Sequence, residues 1–195
     1  MKKKFLVALT LFLVNLSSYA DSYDIDTTHS AVGFKVKHLG ISWVPGKFTK
    51  FSGSYNFDPK NLSQGSVEAT ITADSIFTDE TKRDAHLKDK DFLDTTVFSD
   101  IKFKSKSIKD VKADSFKVVG DLTLHGVTKE VVLDVTVGGV ANDPWGNQRS
   151  AFTATTKINR KDFGLTWNKL IETGGLVVGE DVLISLEIEG IKKKS

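Results

Sequence analysis

Four histidines, His29, His38, His86 and His125, are the side chains here best suited to proton transfer or metal ligation near neutral pH. They lie 9, 48 and 39 residues apart, so no short His-x-His or His-x₃-His element is present, and the chain has no cysteine. A zinc site would need the fold to bring distant residues together. The plainer reading of each histidine is a hydrogen-bonded residue at a strand end or turn, and His125-Gly126 has turn chemistry. Arg83, Asp84 and His86 fall within one helical turn. A guanidinium matches phosphate oxygens as a fork, so Arg83 with His86 could hold a polar head group. The competing reading is an ion pair of Arg83 with Asp79 or Asp84. Ser30, Ser42 and Ser105 lack a nucleophile elbow, and Gly174, Gly175 and Gly179 are not followed by the Lys-Ser or Lys-Thr of a phosphate loop. No catalytic residue and no metal ligand is assigned.

The elements that must carry these residues are strands. From Tyr23 onward apolar and polar residues alternate in eight stretches, the pattern of strands with one buried face. Their apolar rows include Val32, Phe34 and Val36; Phe51, Tyr55 and Phe57; Val67, Ala69 and Ile71; and Ile101 and Phe103. Then come Phe116, Val118, Gly120 and Leu122; Val131, Leu133 and Val135; Phe152 and Ala154; and Val182, Ile184 and Leu186. Phe48 and Phe51 are three apart, which breaks the period and predicts a bulge. Residues 78–94 are charged, lack Gly and Pro, and open with Thr78-Asp79-Glu80-Thr81, which predicts a helix between strands 3 and 4. Residues 159–179 read as a short helix plus loop before the last strand.

The fold class expected is therefore all-β: an eight-stranded antiparallel barrel, whose closure removes edge strands. Such a barrel is either filled by its own side chains or left open for one ligand. Small residues on the inner rows, Gly53, Ala69, Ala73, Ser105, Gly120 and Ala154, are expected to leave volume. Lys102, Lys104 and Lys106 share an outward face, either as plain solvation or as an approach to anionic membranes. Trp43, Trp145 and Trp167 fall in or beside loops, where they either close a pore mouth or plug a barrel end.

The N-terminus has its own pattern. Lys2, Lys3 and Lys4 precede an apolar run from Phe5 to Leu16 and then Ser18-Tyr19-Ala20, which is the pattern of a signal peptide over residues 1–20. Of the 27 basic residues three lie there, leaving 24 against 25 acidic ones in residues 21–195. That near-neutral balance argues against nucleic acid as a partner. The remaining length suits one domain with a sizeable core. Without cysteine an exported domain must be held by packing alone. The periplasm is the expected location, with no transmembrane segment in the mature chain.

Seven blocks in order carry a family likeness: Asp26-Thr27-Thr28-His29-Ser30, Phe34 to Gly40, and Gly46-Lys47-Phe48 with Phe51, Gly53, Phe57 and Asp58. Arg83 to Leu87, Gly120 to Thr128, Asp143-Pro144-Trp145-Gly146 and Arg160 to Gly164 follow. The chain resembles the YceI-like polyisoprenoid-binding family. That resemblance implies a lipocalin-like barrel whose long apolar pore holds a polyisoprenoid or similar amphiphile. Phe34, Val36, Phe48, Phe51, Phe103, Leu122, Leu133 and Phe152 are then expected to line the pore. Trp43, Trp145, Phe163 and Trp167 are expected near its mouth, Arg83 and His86 at a polar head group, and His38 completes the ligand-binding set. The family usually has Asp-Thr after Ser-Ile, where this chain has Phe77-Thr78, so Phe77 is expected to reshape the mouth. The function expected is a periplasmic binder or carrier of a polyisoprenoid, an isoprenoid quinone or a fatty-acid-like lipid, without other cofactor and without catalysis. The alternative is an enzyme on a lipid-like substrate at the pore mouth. A homodimer stays open.

Overall fold

The computed structural model describes residues 20–170 and 175–194. The signal-peptide reading, apart from Ala20, and Gly174 lie outside the described residues. Eleven strand segments are present: β1 (Asp21–Ile25), β2 (Ala31–His38), β3 (Ser42–Phe48), β4 (Phe51–Phe57), β5 (Ser66–Thr72), β6 (Ile76–Phe77), β7 (Asp100–Lys109), β8 (Ser115–Leu124), β9 (Val127–Asn142), β10 (Gln148–Asn159) and β11 (Val178–Lys192). They form eight walls, because β1 with β2, β3 with β4, and β5 with β6 are each one wall interrupted by a kink. Where a bulge is expected between Phe48 and Phe51, the strand breaks outright between β3 and β4. There Thr49 N–H donates to the Ser75 carbonyl at 3.1 Å and Lys50 N–H to Ser75 Oγ at 3.0 Å, so the second and third walls bend together.

Every wall pairs antiparallel with the next in sequence, and the last closes on the first. One edge of β11 runs along β10, and the other takes β2 over Val178–Glu187 and β1 over Gly190–Lys192. This is a closed eight-stranded antiparallel barrel of lipocalin-like form. The alternation read from the sequence is what closes it: in β8, Phe116, Val118, Leu122 and Leu124 are buried while Lys117, Asp121 and Thr123 are less so. At the β8–β9 corner His125 and Gly126 have φ of 51° and 73°, a two-residue turn whose twist suits the hairpin.

One helix, α1 (Thr81–Lys88), lies between the third and fourth walls, capped by the Glu80 carboxylate, which accepts from the N–H groups of Lys82 and Arg83. It is shorter than the stretch to Asp94. Asp89 is extended, and the following turn returns Leu93 N–H to the Leu87 carbonyl at 3.0 Å, which buries Phe92 and Leu93 across the barrel end. Burial of two large side chains outweighs another turn of mostly polar helix. Among its described residues the segment before the last wall holds one 3₁₀ turn, Arg160–Phe163, ended by Gly164 at φ 79°. α1, the His125 turn and this segment share one end, since His125 meets Phe98 at 4.5 Å and Trp167 meets His86 at 4.8 Å between ring centroids.

Candidate functional site

Inside the barrel is a cavity of about 300 Å³, at the lower end of the usual range for ligand pockets. Its wall runs from Leu62 and Ile108 at one end to Leu87, Phe92 and Leu165 at the α1 end. Along β11 that spans Ile188 to Val178, or about 33 Å of strand and about 25 Å along a barrel axis tilted by some 40°. The lining is made by the inner rows of every wall. Phe34, Val36, Phe48 and Phe51 contribute from the first two walls, and Phe103, Leu122, Leu133 and Phe152 from four others. All eight of these pore residues read from the sequence are thus brought together.

Most polar groups in the wall are occupied elsewhere. Tyr55 Oη meets Ser150 Oγ at 2.7 Å, and burial pushes its phenol up to about 12. Asn56 Nδ2 donates to Ser66 Oγ at 2.9 Å. Among the described residues Arg160 is the one charged residue in the wall, and it is only 3 % exposed. Its guanidinium donates to three carbonyls, those of Leu165, of Gly179 at 2.9 Å and of Val178 at 3.4 Å. Burial pulls its pKa below the ordinary arginine value, against the pull of Glu180.

The remaining sequence candidates stand outside the wall. Arg83 Nε donates to Thr78 Oγ1 and its Nη2 to the Thr78 carbonyl, each at 2.7 Å, while Asp84 accepts from Thr78; neither the free head-group fork nor an ion pair with Asp79 or Asp84 is what Arg83 forms. His86 lies behind the wall, edge-on to Phe92 and Trp167 and 3.1 Å from Asp91. Trp167 is thereby a second layer over Phe92, and Phe163, 1 % exposed, belongs to the packed cluster at this end. His38 ends β2 on the exposed side. Trp43 faces outward between Lys35 and Lys37, whose Nζ atoms are 5.2 and 4.7 Å from its ring. Trp145 is 80 % exposed in the β9–β10 turn at the opposite end. Phe77 also points outward, under Lys47, because β6 keeps the period of two from buried Ile76; it does not shape the cavity.

The small inner residues divide. Ala69 and Ala154 line the cavity. Gly120 does not leave space: a Cβ there would stand 2.5 Å from the Phe103 ring and 2.6 Å from the Lys104 carbonyl oxygen. Gly53 is likewise filled, by Ile25 and the neighbouring strand. Of the polar clusters outside, Asp26, His29 and Glu189 come within reach of a common ion, yet Arg149 Nη1 already sits 2.7 Å from Asp26 and 2.6 Å from Glu189, where a cation would stand. None of the four histidines lies in the cavity wall.

A YceI-like domain model matches residues 23–190, nearly the whole described barrel. The chain belongs to the YceI-like family. Protein YceI of Escherichia coli is 39% identical over 98% of this chain and 100% of its own. The crystal structure of a YceI protein from Campylobacter jejuni is 33% identical, with a TM-score of 0.70 over 81% of this chain and 90% of that one. A polyisoprenoid binding domain from Saccharophagus degradans shares the fold at 17% identity, with a TM-score of 0.64 over 88% of this chain and 98% of that one. Against that YceI-like frame, the residues missed in the sequence are Tyr55 as a wall member and Arg160. The first was assigned to an inner row but not to the cavity. The second lies in a turn block with no periodicity to betray burial.

Proposed function

We propose that this YceI-like barrel binds and sequesters a long-chain apolar lipid, a polyisoprenoid, an isoprenoid quinone or a similar amphiphile, and acts as a carrier rather than an enzyme. The observation that carries the reading is the continuous cavity, walled by the inner faces of all eight strands and polar almost nowhere. Each methylene moved from water into such a tube contributes about 0.8 kcal/mol, so an extended chain gains affinity along its whole length. The polyisoprenoid binding domain of Saccharophagus degradans, which shares the fold, supports the ligand class. Catalysis would need an acid or base facing the substrate, and among the described residues the wall offers neither histidine nor carboxylate. We further propose that residues 1–20 direct export to the periplasm, as their Lys-rich start and Ser18-Tyr19-Ala20 end support. The test is mass spectrometry of a solvent extract of the protein purified from its producing cells. About one isoprenoid or other long-chain lipid per barrel is expected. A lipid-free protein that also takes up no added geranylgeraniol overturns the reading.

A further inference from the structure

We propose that Arg160 anchors the terminal oxyanion, carboxylate or phosphate, of the lipid that occupies the cavity, so that the ligand is an anionic amphiphile held head-first at the α1 end. The inference rests on the lipid-binding reading and adds the chemistry of one end of the ligand. Arg160 is a cation inside the cavity wall, and among the described residues no carboxylate lies within ion-pair distance of it. Glu180, which acts on it from farther away, is itself paired with Lys161. A guanidinium carries five N–H donors, and the three carbonyl acceptors leave two without a partner among the described residues. Burying such a charge is costly unless it is both hydrogen-bonded and paired. The carbonyls of Leu165, Val178 and Gly179 supply the first and fix the plane of the group. An oxyanion from the cavity side would supply the second, in the two-pronged geometry that arginine favours.

The position fits as well. Arg160 sits beside Leu165 and Val178 at one end of the apolar tube, so a head group placed there leaves the hydrocarbon chain the length of the barrel. A tube with no cation would discriminate the other way, because an anion loses more hydration than a neutral ester or alcohol does on entering apolar surroundings.

Two probe pairs test this and separate the two oxyanions: oleate against methyl oleate, and geranylgeranyl monophosphate against geranylgeraniol. On the intact protein at neutral pH, at least one anion is expected to bind about tenfold more tightly than its neutral partner. The pair showing the preference identifies carboxylate or phosphate. In Arg160→Gln, and in Arg160→Lys, where the fork is lost but the charge kept, that ratio is expected to fall about tenfold. Because these variants lose contacts to the 165 and 178–179 carbonyls, the wild-type protein provides a second readout. It has three arginines, Arg83, Arg149 and Arg160, so their ¹⁵Nε signals are separable. The Arg160 signal is expected to move with the preferred anion and not with its neutral partner. If both members of each pair bind, neutral as well as anionic, with an unmoved Arg160 signal, the anchor is overturned and the lipid cavity stands. If no member of either pair binds, the lipid-binding reading falls and this inference with it.

Discussion

Val182→Trp places an indole in the middle of the tube and tests whether the cavity is one continuous chain-binding space. Val182 lines the cavity opposite Ile158 on β10 and Val36 on β2. It lies four residues, or about 13 Å of strand, beyond Val178. The added rings enter a void of about 300 Å³ rather than a packed layer, so the barrel is expected to fold. A lipid entering from the α1 end would then be stopped about two-fifths of the way in. Each isoprene unit kept out removes about five carbons at about 0.8 kcal/mol apiece, or about 4 kcal/mol. That corresponds to about a thousandfold in affinity. Geranylgeraniol binding is measured by titration calorimetry, with circular dichroism and a thermal melt as controls for folding. A folded variant that keeps wild-type affinity refutes the tube, and a surface groove becomes the better account.

Gly120→Ala is expected to destabilise the barrel by about 1–3 kcal/mol in a denaturant melt, because its methyl would meet both the Phe103 ring and the Lys104 carbonyl; an unchanged midpoint would show that Phe103 does not fill the notch. Arg83→Ala should leave the preference between charged and neutral lipids unchanged and lower stability by about 1 kcal/mol, since its guanidinium is engaged by Thr78; selective loss of the charged lipid would return Arg83 to the head group. Asp143 is held down to about 2 by the Asn147 side chain first, then by backbone N–H groups and Arg149, and Asp26 is held below the usual carboxylate range chiefly by the Thr28 hydroxyl. Both groups are depressed on folding, so the stability they contribute is complete above the unfolded value near pH 4 and lost as pH falls towards 2. Asp143→Asn should flatten the fall in melting temperature over that window, and an unaltered slope would remove Asp143 from the account. Mass spectrometry of protein recovered from the periplasm should give Asp21 as the first residue; cytoplasmic protein with Met1 intact would argue against export.

The strands and the eight pore residues were legible because period-two alternation is a direct consequence of one buried face, and nothing in this barrel competes with it. Where side chains answer to a neighbour instead of to period, legibility ended. Gly120 reads as empty space on an inner row, yet the ring of Phe103 on the adjacent strand takes the volume. The outward lysines look like an unbalanced basic stripe in β7 alone. In the sheet Lys102 pairs with Asp100 along β7, while Lys104 reaches Glu68 and Lys106 reaches Asp121 and Glu130 on neighbouring walls, so the stripe is balanced by acidic partners. Arg83 and Arg160 both belong to recognisable blocks. Only the fold decides that the first is tied to Thr78 outside the cavity while the second is buried in its wall.

The seam where β11 meets β1 and β2 joins the first and last walls of the barrel. A polypeptide made from its N-terminus can lay down seven walls in order, each hydrogen-bonding to the one before. Throughout that time the first wall carries an open edge and the half-built sheet shows its oily face to water. Residues 178–192 are the last to arrive and the only ones that can cover both. The slowest encounter is therefore expected to come at the end, between residues 140 or more apart in sequence. A chain cut short before Val178 would be a sticky open sheet and not a smaller barrel, prone to pairing with its own kind.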